Sequence, residues 1–167
     1  GAISSLNDTE AEAVKVFEFN IKDAGTADGL KTDVTAVTFT AGPNNEIAFD
    51  GENIGGGFLY NETDGAAITA NVVSTASTVT FELAPGTLEI SDGGTTHLSA
   101  SIWLNTANLT DNAVMEFMID ADAHGFVADA AGSTFAADFG TNVVSNQFTI
   151  EVAATQLSFT TEPTDVE

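Results

Sequence analysis

The chain contains no cysteine and no arginine, and only one tryptophan, one tyrosine and three prolines in 167 residues. Each shortage removes a class of explanation. Without thiols there is no disulfide framework, no thiolate nucleophile and no cysteine-ligated zinc. Cations are nearly as scarce: Lys15, Lys22 and Lys31 stand against 25 carboxylates, for a formal net charge of -22. Such a surface repels nucleic-acid phosphates and anionic membranes, and three lysines give counterion release nothing to work with. Nucleic acid is therefore excluded as a partner. No apolar run approaches the roughly 20 residues that cross a bilayer, so no membrane insertion is expected. The chain has only His97 and His124, and it lacks G-x-S-x-G, H-E-x-x-H and a phosphate-binding glycine loop. It is not expected to be an enzyme.

What is present is apolar and patterned. Hydrophobic residues make up 43% of the chain and include 12 phenylalanines, enough to fold despite the charge. The length suits one large domain with one core. In 97–119, Leu98, Ala100, Ile102 and Leu104 alternate with small or polar residues, and so do Ala113, Met115, Phe117 and Ile119. The turn-forming stretch 105–112 separates them, so the segment reads as an antiparallel hairpin at the centre of the fold. Phe17, Phe19 and Ile21 share another face, and Val14 and Val16 fall on the opposite parity, which predicts a bulge near Val16.

Further strands are expected at 34–40, 46–49, 57–60, 67–73, 78–83, 87–90, 147–152 and 156–160, divided by Gly, Pro and Asn turns, with a long loop over 120–146. The expected class is all-β, an Ig-like antiparallel β-sandwich of about 8–10 strands with long acidic loops. Residues 1–12 read as an N-terminal linker or edge segment, 13–160 as the single sandwich domain and 161–167 as a linker to a following module. Gly1 and the end EPTDVE read as the bounds of a piece of a longer polypeptide.

Calcium takes six to eight oxygen ligands, and acidic loops with glycines can wrap it. Asp23, Asp28 and Asp33 are evenly spaced around Gly25 and Gly29; Asp8, Glu10 and Glu12 form a second cluster, and Asp120, Asp122 and Asp129 a third. None matches the EF-hand loop. If the strand of Phe17 runs up and that of Met115 runs down, Asp111 joins the 23–33 loop at the top, and Asp120 and Asp122 meet Glu10 and Glu12 at the bottom. The alternative for every one of these acids is a solvated surface. A rival ligand class is carbohydrate, which stacks on exposed aromatic rings. Only Trp103 and Tyr60 are available for it, and Trp103 lies in the most core-like strand, its parity opposite to that of Ile102 and Leu104. Trp103 is expected to be buried and to serve packing.

Three segments carry a resemblance. AEAVKVFEFNIKDAGTADGLKTDVTAVTF, LEISDGGTTHLSASIWLNTANLTDN and ATQLSFTTEPTDV contain a V-F-x-F-x-I-x-D-x-G-x-x-D-G-x-x-T start at 16–32, a D-G turn leading to W-L-N-T at 92–106 and an A-T-x-L-x-F-T-x-x-P exit at 154–163. The chain resembles the repeated modules of very large secreted surface and adhesin-like proteins of marine and gliding bacteria of the Bacteroidetes type. Lys31 stands where that pattern often has proline. The resemblance implies a non-enzymatic module on the extracellular surface of a bacterium, acting as spacer or attachment surface and stiffened by calcium. Its partners would be neighbouring modules of the same polypeptide and surface glycans or other cell-surface ligands. The alternatives are a carbohydrate-binding module of a secreted enzyme and a pilin or surface-layer subunit.

Overall fold

A sheet with one apolar face must bury it against a second layer, and here that layer is another sheet. The computed structural model describes residues 1–25, 28–136 and 140–154, and these are all-β. The strands are β1 (Ala2–Ser4), β2 (Val14–Lys22), β3 (Thr32–Ala41), β4 (Ile54–Asn61), β5 (Ala66–Ile68), β6 (Asn71–Ser74) and β7 (Thr78–Glu82). They continue with β8 (Glu89–Ile90), β9 (Thr95–Leu104), β10 (Val114–Met115), β11 (Phe117–Ile119), β12 (Val127–Ala128), β13 (Val143–Val144) and β14 (Phe148–Glu151). Four of these are two-residue bridges. A 3-10 turn at Glu10–Glu12 is the one helical element among the described residues.

One sheet has the order β2-β9-β4-β5. The other runs β13-β11-β3-β7-β6, with β8 and β12 also pairing β3, and a third, small sheet has the order β1-β14-β10. Every pairing is antiparallel except that of β1 with β14. The fold is thus an all-β, largely antiparallel β-sandwich. Its centre is aromatic: the Phe39 ring of β3 lies 5.1 Å from Phe17 and 5.4 Å from Phe19 of the facing sheet, and 6.0 Å from Phe81 of its own. Most of these pairs meet edge to face, an arrangement worth about 0.5–1.5 kcal/mol beyond burial.

Local parity is obeyed closely. Leu98, Ala100, Ile102, Leu104, Met115, Phe117 and Ile119 are all buried, and the β2–β9 register shifts between Lys15 and Phe17, the bulge expected near Val16. The expected hairpin over 97–119 is not there. β9 pairs with β2 and β4, whereas β10 pairs with β14 and β11 with β3 and β13, so the connection 105–113 crosses between sheets. Alternation states which face of a strand is buried and leaves its hydrogen-bonding partner open. The stretch 67–73 is likewise split between sheets, as β5 and β6. Residues 46–49 form no strand, and their Phe49 is buried, stacked at 4.6 Å on Phe117. In 1–12, β1 forms the edge of the small sheet with Ile3 fully buried. The strand expected at 156–160 and the linker at 161–167 lie outside the described residues.

Candidate functional site

Most of the expected metal ligands bind backbone amides. Asp23 closes β2 and is 1% exposed. Its Oδ1 accepts the N–H groups of Gly25 and Gly93, each at 3.0 Å, and its Oδ2 accepts the Thr32 hydroxyl. Those bonds, the Thr32 hydroxyl first and the Gly93 amide next, hold the carboxyl below its ordinary pKa. Gly93 sits at φ +66 in the turn 91–94, a left-handed conformation that side chains rarely adopt. Asp33 takes the Gly86 N–H with both oxygens, at 2.9 and 2.8 Å. Asp28 accepts Leu30 N–H, and Asp120 accepts the N–H groups of Asp122 and Ala123. Glu12 accepts the Thr9 hydroxyl, and Asp111 accepts Val152 N–H. Short acidic side chains in turns commonly serve this way.

The expected grouping of the acids does not form. Because β9 is antiparallel to β2, its end at Leu104 lies opposite to Asp23, and Leu104 N–H donates to the Asn7 carbonyl. Asp111 follows β9 and bonds Val152, while Ala153 N–H donates to Ser5. Asp111 therefore belongs with the end of Glu10 and Glu12. After Asp120 and Asp122 the chain runs back along β3 until Asp129 N–H meets the Asp33 carbonyl. Among the described residues, no three Asp, Glu or His side chains gather closely enough to hold a metal ion. His97 is exposed, and His124 sits edge-on to Phe126 and Phe135 with its Nδ1 accepting Phe126 N–H.

A buried carboxylate that the sequence did not announce lies between β10 and β11. Glu116, 3% exposed, accepts the backbone N–H of Asn44 at 2.8 Å and the side-chain amides of Asn44 and Gln147. Burial pushes its pKa up, but the Asn44 and Gln147 bonds outweigh burial and the net shift is down. Its partners are 72 and 31 residues away, so no local pattern reveals it.

The outward face of the β2-β9-β4-β5 sheet is the other arrangement with chemistry to offer. Trp103 is not buried in the core. It is half-buried on this outer face, and its ring lies across Gly55 and Gly56 of β4 so closely that a Cβ on Gly56 would come within 2.3 Å of Cζ2. Phe58 and Tyr60, two and four residues beyond Gly56 on the same strand, share the face and are also half-buried. Between them and β2, Ser101 and Ser99 form a floor of small residues, 7% and 2% exposed. Glu62 reaches over it to accept the Ser99 hydroxyl at 2.7 Å and to pair with Lys15 at 3.5 Å. The Ser99 hydroxyl is the first reason that the Glu62 carboxyl is held below its ordinary pKa, and Lys15 adds to it. Lys15 also pairs with Glu18, and Asn20, Lys22 and His97 complete the exposed polar rim. The parity of Gly56, Phe58 and Tyr60 against Gly57, Leu59 and Asn61 was the signal for this row. Sequence reasoning weighed only Trp103 and Tyr60.

Comparison with protein-family models, with curated proteins and with solved structures returns no match.

Proposed function

We propose that this chain is a non-enzymatic module of a large extracellular bacterial surface protein of adhesin type, serving as spacer or attachment surface. The observation that carries the reading is the parallel pairing of β1 with β14, in register from Ala2 with Thr149 to Ser4 with Glu151. A chain that passes through two parallel neighbours enters one end of the sheet and leaves at the other. Copies joined in series would line up rather than fold back. Two of the segments that carry the resemblance also meet, since Asp23 of the first accepts the Gly93 amide of the second across 70 residues. The buried carboxylates Asp23 and Glu116 bond amides and a hydroxyl, a structural use that fits a module without chemistry of its own.

Small-angle scattering from an engineered fusion of three copies tests the spacer. A maximum dimension that grows in proportion to copy number supports it, and a compact particle refutes it. An antibody against the folded protein should label intact cells of the source bacterium without permeabilisation. Calcium stiffening belongs to the same proposal and is tested by melting in calcium and in chelator at matched ionic strength. Equal melting temperatures would leave the acids as a solvated surface.

A further inference from the structure

We propose that the outward face of the β2-β9-β4-β5 sheet is a platform for a neutral polysaccharide strand, with Trp103, Phe58 and Tyr60 as its stacking surface. This names a ligand class for the attachment surface of the proposed module and rests on that reading. One ring face of Trp103 is seated on the glycines, and its indole N–H, which has no hydrogen bond among the described residues and is not a buried unsatisfied donor, reaches solvent. Phe58 and Tyr60 extend the row. Alternate residues of a strand are about 6.6 Å apart, so the stretch from Gly56, under Trp103, to Tyr60 covers about 13 Å. That is longer than one sugar ring and calls for a chain of several units.

Pyranose rings have C–H faces that pack on aromatic rings and a rim of hydroxyls that need polar partners. The face supplies both, since Glu62, Lys15, Asn20 and His97 border the aromatic row. The serine floor keeps the surface flat, which fits an extended polymer better than a compact metabolite. Charge selects within the class. Of three lysines and 25 carboxylates in the chain, this face holds Lys15 and Lys22 with Glu18 and Glu62, two of each sign. The balanced face is set in a protein of net charge -22, which repels anionic polymers at a distance and leaves neutral ones unaffected.

The test uses Trp103 as its own reporter, being the single tryptophan. The full chain is titrated with cellohexaose, mannohexaose, xylohexaose and laminarihexaose, and with anionic polyguluronate. The expected result is a saturable emission change with at least one neutral hexasaccharide and none with polyguluronate. Phe58→Ser and Tyr60→Ser, each checked for an unchanged circular dichroism spectrum, should weaken that binding by about tenfold or more. The proposal is overturned if none of the neutral sugars changes the emission, or if both variants bind as the parent does. It is also overturned if sedimentation shows a dimer that Tyr60→Ser dissociates, because a second copy would then occupy the face. Glycan binding is read on the single chain and spacer geometry on the fusion, so either proposal can fail alone.

Discussion

Replacing Gly56 with alanine gives the sharpest test of how the outer face is built. The residue is in β4 and has no positive φ, so its backbone accepts a side chain without strain. The obstacle is the Trp103 ring, whose Cζ2, Cε2 and Cη2 would lie 2.3, 2.7 and 2.8 Å from the new Cβ. Carbon atoms in good contact sit about 3.5–4.0 Å apart, so the ring must lift by more than about 1 Å. Overpacking of this kind costs about 1–3 kcal/mol, and the stiffer unfolded chain returns about 0.4–1 kcal/mol. The net expectation is a loss of about 1–2 kcal/mol, a fall in melting temperature of roughly 2–8 °C for a domain of this size. In a Trp103→Ala background the ring is gone and only the unfolded-chain effect survives, so the same substitution should be neutral or stabilise by up to about 1 kcal/mol. A double-mutant cycle read by urea unfolding, with circular dichroism as the signal, should therefore give a coupling of about 1–3 kcal/mol. Equal effects of Gly56→Ala in both backgrounds would show that the ring does not rest on this strand.

Phe39→Ala removes the ring shared by both sheets and should cost about 3–5 kcal/mol in chemical denaturation; a loss under about 1 kcal/mol would contradict the aromatic core. Asp23→Asn should lower the melting temperature by the same amount in calcium and in chelator, because its oxygens already serve Gly25, Gly93 and Thr32. A fall seen only in calcium would make Asp23 a metal ligand instead. Asp23, Glu62 and Glu116 have pKa values lowered by folding, so the folded state holds their protons more weakly than the unfolded chain. Their contribution to stability is complete above the ordinary carboxylate value of about 4 and is lost as pH falls through the lowered values. Unfolding free energy measured between about pH 5 and 2 should drop accordingly, and Glu116→Gln should make that drop shallower.

Sequence alone determined the class and the inside of this protein. Period-two alternation settles which side chains of a strand share a face, and that is a property of neighbouring residues, so Leu98 to Leu104 and Phe17 to Ile21 were legible as core, and the clash of parity at Val16 was legible as a bulge. Only tertiary structure decided which strands pair. The partners of β9 are β2 and β4 rather than the next strand along the chain, because hydrogen bonding between strands is set by contacts far apart in sequence. That one decision moved Asp111 to the end opposite Asp23 and put β10 and β11 in other sheets. It also laid Trp103 over glycines of β4 instead of in the core, since an outward side chain on a central strand takes its surroundings from both neighbours. The acids tell the same story. An aspartate in a turn reads in sequence as a free ligand, yet Asp23 and Glu116 are committed to donors up to 72 residues away, and no local pattern encodes a bond of that reach.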